Sequence, residues 1–308
     1  MERVKTAQIS RCRITGAMWY RKAARNKFQD KESTSSRGPG MRLLSLRNRI
    51  RLWGKQILFP GLDLHTRSRY RFLSKYFRKG AIDTLDAGCG NGALSYAAYR
   101  RGNRVLGVTM EPGQVNKDKE YFSFLGADPD RLTFEVCNLY DLPRINRKFD
   151  QIICSETLEH ITRDKLVVQY FYDMLREDGV LHLCCPFSDH PGNKGQICTD
   201  ESVGWHVRDG YTLESYRALL EPVGFQIVKS AGFGSPLLVK LTNIIQPVLS
   251  RQGAALALPL FILTWPLQLL DYQNPAVPIS LYVQCIKTPL NRTSDNIVDS
   301  GRIGPTLP

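Results

Sequence analysis

The sequence predicts an α/β fold with a doubly wound, mostly parallel sheet of seven strands. From residue 81 onward, short apolar runs with strand character alternate with helix-compatible segments, and a glycine-rich turn follows the first run. Alternation of this kind specifies a parallel sheet that is covered by helices on both faces. Such sheets bind ligands at the carboxyl ends of their strands, and the motifs identified below follow predicted strands.

The predicted elements are short and regularly spaced. Strands are predicted over residues 81–87, 104–109, 131–137, 149–154, 179–186, 225–231 and 280–287. Helices are predicted over residues 92–101, 113–125, 164–176 and 212–221, the last with Thr212 as its N-cap. Upstream, residues 41–80 are predicted to form one or two basic amphipathic helices, which Pro60 and Gly61 interrupt.

Positive charge is concentrated at the N-terminus. Residues 1–80 contain 21 of the 42 Lys and Arg residues but only four of the 29 acidic residues. We expect a basic disordered leader at 1–40, a helical lid or membrane-binding segment at 41–80, a catalytic α/β domain at 81–290 and a disordered tail at 291–308. The charge favours an anionic membrane surface as partner, and a transit peptide is the alternative for the leader. Nucleic acid is disfavoured because no aromatic-interleaved RNA-reading motif or helix-turn-helix is evident.

The cysteines bear on compartment and metal content. The eight cysteines are scattered and none has C-x-x-C spacing, so neither a zinc site nor a disulfide framework is predicted. Reduced, buried thiols indicate a cytoplasmic protein, and the basic segment favours a peripheral position at the membrane.

The turn after the first strand carries the strongest functional signal. Asp86, Gly88, Cys89, Gly90 and Gly92 form the pattern D-x-G-x-G-x-G, in which glycines turn the chain sharply and leave room for a ligand. A dinucleotide site is the alternative, since G-x-G-x-x-A is formally present. An acidic side chain at position 86, however, would repel a pyrophosphate and attract an ammonium or a sulfonium.

This pattern resembles motif I of the class I S-adenosylmethionine-dependent methyltransferases. The resemblance implies S-adenosylmethionine as cofactor and a Rossmann-like sheet with an antiparallel last strand. After the second strand, Thr109 and Gln114 resemble the cyclopropane and mycolic acid synthase branch and are implied to serve the ribose, with Glu111 as competitor. After the third strand, Asn138 is implied to bind the adenine amino group and Leu139 to pack on the ring, with Asp141 as rival to Asn138.

The loop after the fourth strand suggests the chemistry. Glu156, Glu159 and His160 reproduce an E-x-x-E-H spacing that resembles the type 11 and ubiquinone-biosynthesis O-methyltransferases. The resemblance implies that these three residues hold a divalent cation, Mg²⁺ or a transition ion, and that Glu156 contacts the cofactor. The alternative is that Glu159 and His160 only position the loop.

A general base and a polar pocket wall are also expected. His160 is our first candidate for the base and His206 the second, and Glu159 could position His160. His190 and Tyr211 are expected to join His206 in the pocket wall. Residues of the preceding helical segment are candidates for a lid over the site: Asp63, His65, Arg67 and Tyr70.

An apolar insertion precedes the last strand. Residues 232–279 contain only three charges, and residues 254–270 contain none, which reaches the lower limit for spanning a bilayer. Strands on both sides must pair in one sheet, so a single crossing is excluded and residues 233–279 are predicted to form a helical hairpin. The hairpin either lies in a membrane interface or caps the pocket.

These observations predict a methyltransferase that acts on an oxygen or a carbon of a lipid-like or membrane-associated small molecule. One alternative is a soluble methyltransferase for a secondary metabolite with the hairpin as lid. The other is a non-catalytic subunit of a membrane complex that keeps the methyltransferase fold.

Overall fold

The computed structural model describes residues 50–287 except 51, 52, 55, 196 and 198–204. The expected leader at 1–40 and the expected tail at 291–308 lie outside the described residues.

A seven-stranded sheet forms the centre of the molecule. Its strands are β1 Asp83–Ala87, β2 Arg104–Thr109, β3 Leu132–Val136, β4 Phe149–Ser155, β5 Leu175–Pro186, β6 Phe225–Phe233 and β7 Ser280–Lys287. Their order across the sheet is β3-β2-β1-β4-β5-β7-β6, and β7 runs antiparallel to the other six strands. The predicted fold class is therefore confirmed, including the antiparallel last strand.

Helices cover both faces of this sheet. They are α1 Leu64–Leu73, α2 Ala93–Tyr99, α3 Pro112–Phe124, α4 Asp164–Met174, α5 Leu213–Leu220, α6 Pro236–Gln252 and α7 Ala254–Gln268. The apolar faces of α4 and α5 pack on one side of the sheet, and those of α1, α2 and α3 pack on the other. The two layers account for the alternating apolar pattern, because each helix buries one stripe against the sheet.

The start of β5 differs from the prediction. The strand begins at Leu175, four residues before the predicted start, and pairs there with Phe149 of β4. Residues 176–178 are charged; Arg176 is partly exposed and the next two residues are exposed, so this part of the strand lacks an apolar pattern. The predicted helix over 164–176 accordingly ends at Met174.

The apolar insertion forms the predicted helical hairpin, in which α6 and α7 meet at Gly253. One side of the hairpin packs against the segment that leads into α1, in a cluster of apolar residues. Its members are Leu62, Leu64, Leu238, Leu241, Ile245, Ala257 and Phe261. At the base, Asp271 accepts hydrogen bonds from the Ser68 hydroxyl at 2.7 Å and from the Ser235 backbone N–H at 3.1 Å.

The other side of the hairpin is apolar and exposed. Leu263 is 76 % exposed, and the same surface continues along α7 and past its end. Its exposed members are Ile262, Leu263, Trp265, Leu267, Leu269 and Leu270, which we call the hairpin face. Across the described part of the chain, no helix has both the length and the apolar character that crossing a membrane requires.

A buried polar network links side chains of four strands, β1, β4, β5 and β7, inside the sheet. The His182 imidazole contacts the Tyr282 hydroxyl at 2.8 Å and the Gln151 side-chain oxygen at 3.1 Å. The Gln151 amide donates in turn to Thr84 and Asn103, each at 3.2 Å. Burial lowers the pKa of His182 to about 3, so this imidazole is neutral in the folded protein.

Candidate active site at the carboxyl edge of the sheet

The glycine turn lies between β1 and α2 and has a left-handed backbone at all three glycines. The φ angles of Gly88, Gly90 and Gly92 are 84°, 54° and 69°. A Cβ at Gly88 would lie 2.3 Å from the Thr157 hydroxyl oxygen, whereas a Cβ at Gly90 would meet nothing within 4 Å. The turn therefore needs glycine both for its conformation and for the close approach of the loop after β4.

Asp86 is buried beneath this turn. Its side chain is 2 % exposed and accepts a hydrogen bond of 2.6 Å from the Ser95 hydroxyl of α2. Burial raises the pKa of Asp86 to about 6, and the bond from Ser95 opposes that rise. A cationic group placed next to Asp86 would favour the ionised form and compensate the cost of burial.

A cleft of about 300 Å³ opens above the turn. The glycine turn forms its floor with Asp86 and Cys89, and Ser155 and Glu156 at the end of β4 form one wall. The opposite wall comes from α1, through Thr66 and Arg69. The cleft thus combines a buried carboxylate with a cation at the end of the sheet where ligands of this fold bind.

Arg69 was not among the residues singled out from the sequence. Its guanidinium lies 3.5 Å from the Glu156 carboxylate and is 16 % exposed. Desolvation lowers the pKa of Arg69, but the acidic groups around it together, with Glu156 the strongest of them, raise it overall. The available signal was helical spacing, because Thr66 and Arg69 lie three residues apart and share one face of α1.

Three of the four lid candidates, Asp63, Arg67 and Tyr70, have side-chain contacts outside the cleft. Asp63 caps α1 by accepting from the His65 backbone N–H at 2.9 Å. Arg67 stacks on Phe261 and Trp265 of the hairpin, and the Tyr70 ring meets the edge of Phe59. The part of α1 that lines the cleft is therefore a different face of the helix, next to the face that carries these residues.

The residues expected to serve the ribose lie beside the turn. The Thr109 carbonyl accepts from the Cys137 backbone N–H at 3.0 Å, which joins the ends of β2 and β3. The Gln114 amide donates to Asp118 at 2.7 Å. Met110, after β2, is exposed and offers an apolar surface at the same edge.

The residues expected to serve the adenine have local roles. The Asn138 side-chain oxygen accepts from the Tyr140 backbone N–H at 3.0 Å and caps a short 3-10 helix over Leu139–Ile145. Leu139 is buried in the core beneath the sheet edge, whereas Val136 at the end of β3 is exposed. Asp141, the rival of Asn138, pairs with Arg144 at 3.3 Å.

Three titratable side chains meet next to the cleft. The His160 and His206 rings have centroids 4.7 Å apart and are nearly perpendicular, and His160 Nε2 lies 3.8 Å from Glu159 Oε1. Glu159 is fully buried, and among the described residues neither of its carboxylate oxygens has a hydrogen-bond partner. We call Glu159, His160 and His206 the Glu-His-His group.

The charge states within this group follow from burial. Burial raises the pKa of Glu159, and the negative charge of Glu156 raises it further. Burial lowers the pKa of His160 and of His206, so both imidazoles are neutral at neutral pH. A neutral imidazole can accept a proton or bind a metal ion.

Two loops are joined to hold this group together. The Val207 backbone N–H donates to the Glu159 carbonyl at 2.8 Å. The Arg208 guanidinium donates to the carbonyls of Leu158 and Ile161 at 2.7 and 2.8 Å. These bonds bring His206 beside His160, although 45 residues separate them along the chain.

The Glu-His-His group fits a divalent ion. One ligand atom from each of its three residues lies within 4.8 Å of the others, and the Nδ1 atoms of both histidines are buried without a partner in the described structure. Two imidazoles and one carboxylate suit zinc or another transition ion better than Mg²⁺, which prefers oxygen ligands. Glu156, the third member of the expected metal set, instead contacts Arg69 and accepts from the Ser280 hydroxyl at 3.1 Å.

The other expected wall residues lie apart from this group. His190 Nδ1 accepts from the Gly192 backbone N–H at 3.1 Å and caps a short 3-10 helix. The Tyr211 hydroxyl donates to Asp164 at 2.8 Å and is buried. Of the three residues expected in the pocket wall, His206 belongs to the Glu-His-His group, whereas His190 and Tyr211 do not.

Comparison with known proteins shows what part of the chain is similar to. The family described as "Methyltransferase domain" matches residues 78–214. A ubiquinone biosynthesis O-methyltransferase from Rattus norvegicus is 26 % identical over 156 residues, which cover 48 % of this chain and 45 % of that protein. The Haemophilus ducreyi protein of that name is 36 % identical over 101 residues, which cover 32 % and 43 %. The chain thus spans less than half the length of these relatives.

Solved structures support the fold. The crystal structure of the [4+2]-cyclase SpnF aligns with a TM-score of 0.51 at 16 % identity and covers 72 % of this chain and 80 % of that chain. At this identity the likeness concerns the fold and carries no statement about the reaction.

Proposed function

We propose that this chain, whose residues 78–214 are a methyltransferase domain of the S-adenosylmethionine-dependent class, transfers a methyl group to an oxygen of a lipid-like, membrane-associated acceptor. One observation carries this proposal. The cofactor cleft, which contains a buried carboxylate and a cation, adjoins a Glu-His-His group in which both imidazoles are neutral.

Charge complementarity supports S-adenosylmethionine in the cleft. Its ammonium and sulfonium would compensate the buried Asp86, and its carboxylate would meet the Arg69 guanidinium. Glu156 on the facing wall would balance the remaining positive charge. Thr109 and Gln114 are proposed to face the ribose and Asn138 the adenine, with Met110 and Val136 as apolar contacts for the purine.

The transfer is an in-line displacement. The acceptor oxygen attacks the methyl carbon, the bond between that carbon and sulfur breaks, and its electron pair stays on sulfur. The protein therefore has to align the acceptor, exclude water and remove the hydroxyl proton. We assign proton removal to the neutral imidazole of His160, with His206 packed against it.

The same group is proposed as a metal site. Glu159, His160 and His206 would hold a divalent ion, which would supply Lewis-acid stabilisation of an acceptor oxygen. The two roles compete for the His160 imidazole, so metal content distinguishes them.

The lipid-like acceptor is supported by the hairpin face. The hairpin face presents six large exposed apolar side chains, and such a patch marks an interaction site. The similar proteins named as ubiquinone biosynthesis O-methyltransferases point to the same class of acceptor.

The acceptor can be identified from material that copurifies with the protein. Lipids are extracted from the purified protein before and after incubation with S-adenosylmethionine and compared by mass spectrometry. The proposal predicts one species whose mass rises by one CH₂ unit and whose fragments locate a new methoxy group. Methylation confined to nitrogen, or to water-soluble compounds, would contradict it.

A further inference from the structure

A cavity on the α1 and α2 face of the sheet has an unusual charge. It encloses about 700 Å³, and three cations line it: Lys79, Arg100 and Arg101. Within the described part of the chain, none of these three forms an ion pair with a carboxylate. No acidic residue is among the lining residues.

Two other arginines at this end of the sheet are paired with carboxylates. Arg104 lies 2.8 Å from Asp83, and Arg176 lies 2.7 Å from Asp150. The three cavity cations are therefore a local excess of positive charge on a concave surface. A concave surface of one sign concentrates counter-ions.

The remaining polar lining suits an oxyanion. Gln56, Tyr70, Ser74 and Tyr96 contribute side chains that can donate hydrogen bonds. Burial raises the pKa of Tyr70, so its hydroxyl keeps its proton. Several donors around uncompensated cations match the oxygens of a phosphate group.

An apolar cavity adjoins this basic one. Phe59 and Tyr70 line both, and the second cavity encloses about 310 Å³. Arg67, Arg71 and Asp271 also line it, but most of its exposed wall is apolar. Its apolar lining includes Leu64, Leu238, Trp265 and Leu269, so it ends at the hairpin face. A basic cavity that continues into an apolar one matches a molecule with an anionic head and a hydrocarbon chain.

We propose that Lys79, Arg100 and Arg101 bind the phosphate of an anionic membrane lipid, with the lipid chain in the cavity beneath Trp265. The site lies beside α1 and outside the cofactor cleft, so it holds a lipid without methylating it. Together with the hairpin face, it would fix the orientation of the protein on the membrane.

A nucleic acid is the less suitable occupant. Its phosphates would satisfy the basic cavity but leave the adjoining apolar cavity without a ligand. A soluble phosphate compound has the same limitation. The continuity of the two cavities therefore favours the lipid.

The test uses the full-length protein and two matched double variants. Lys79→Glu with Arg100→Glu reverses two exposed cavity cations, and Arg101 is kept because it donates to the Phe77 carbonyl. Lys165→Glu with Arg217→Glu makes the same change in net charge on α4 and α5, on the opposite face of the sheet. Binding is measured by flotation on phosphatidylcholine vesicles with and without phosphatidic acid, and by titration with glycerol phosphate and with a short single-stranded RNA.

We expect the cavity variant to lose at least about tenfold in affinity for the phosphatidic acid vesicles, and the α4 and α5 variant to stay within about twofold of the wild type. Both variants should bind S-adenosylmethionine as tightly as the wild type. A loss of vesicle binding is then independent of whether the proposed methyltransferase function is correct. An equal loss in both variants, or no loss in the cavity variant, overturns the site. Glycerol phosphate or RNA that binds as tightly as the vesicles, in a way that the cavity variant abolishes, overturns the lipid assignment.

Discussion

The Arg69 guanidinium lies 3.5 Å from the Glu156 carboxylate, although one residue belongs to a helix before the first strand and the other follows the fourth strand. This pair closes the cleft above the glycine turn from both sides. The segment before the sheet thereby becomes part of the proposed cofactor site. Because α1 also packs against the hairpin, cleft and hairpin share one helix.

Arg69→Ala should weaken S-adenosylmethionine binding by about 10- to 100-fold, because a hydrogen bond to a charged group contributes about 1.5–3 kcal/mol. Equilibrium dialysis measures the affinity. Arg71→Ala is the matched control, since Arg71 lies on the same helix and donates to carbonyls at the end of the hairpin. Equal affinities for the two variants would remove Arg69 from the cofactor site.

The affinity for S-adenosylmethionine should fall with pH below about 6. Burial raises the pKa of Asp86 to about 6, and the cofactor ammonium is attracted only to the ionised form. Each pH unit below that value should weaken binding by up to about tenfold. In Asp86→Asn the affinity should be lower and the pH dependence flat. The range from pH 5 to pH 7 brackets the shifted pKa. If the wild type binds S-adenosylmethionine with the same affinity throughout this range, Asp86 does not contact the cofactor ammonium.

Metal content should depend on the Glu-His-His group. Glu159→Gln and His206→Ala should each lower zinc affinity by at least about tenfold, since each removes one ligand. Glu156→Gln should leave it unchanged, because Glu156 contacts Arg69 and Ser280. Calorimetric titration with Zn²⁺ gives the affinities. If Glu156→Gln abolishes binding and His206→Ala does not, the E-x-x-E-H ligand set expected from the sequence is the correct one.

The hairpin face should bind membranes. Leu263→Ser with Leu270→Ser removes two exposed leucines, each of which contributes about 1.5–3 kcal/mol when fully buried. Flotation on phosphatidylcholine vesicles should fall by at least about tenfold, and the thermal midpoint should stay unchanged. Val228→Ser on the edge strand β6 is the control, because Val228 is also exposed. If both changes reduce flotation equally, the hairpin is a cap over the domain and not a membrane contact.

The free energy of unfolding should decrease as pH falls from 6.5. His182 has its pKa lowered to about 3 by burial, so the unfolded chain binds a proton there before the folded protein does. The stabilisation is complete above pH 6.5 and is lost toward pH 3 at about 1.4 kcal/mol per unit. Urea unfolding of the wild type and of His182→Gln measures it, with the partly exposed His190→Gln as control. If the two variants have the same pH dependence, His182 is not responsible.

The sequence predicted the sheet because its signals are local. Each strand is a short apolar run, and the turn from Asp86 to Gly92 needs left-handed backbone that glycine adopts readily. The start of β5 was missed because charged residues occupy its second to fourth positions. Its position depends on pairing with β4, which a linear pattern does not encode.

The sequence predicted only those residues of the candidate site that lie together in one segment directly after a strand. Arg69 reaches the cleft because α1 packs across the sheet, and His206 joins His160 because Val207 and Arg208 bond to the loop after β4. Both contacts join segments that are distant in the chain. Spacing within one segment suggested Glu156, Glu159 and His160 as a set, but a turn with positive φ at Glu156 points that residue toward Arg69.

The most direct test of the central claim is transfer of a labelled methyl group. The full-length protein is incubated with S-adenosylmethionine labelled in its methyl group and a membrane lipid extract, and the label is counted after partition into organic solvent. We predict that the wild type moves label into the organic phase and that Asp86→Ala and His160→Ala do not. Label that stays in the aqueous phase with the wild type, under conditions where calorimetry shows bound cofactor, would contradict a lipid methyltransferase.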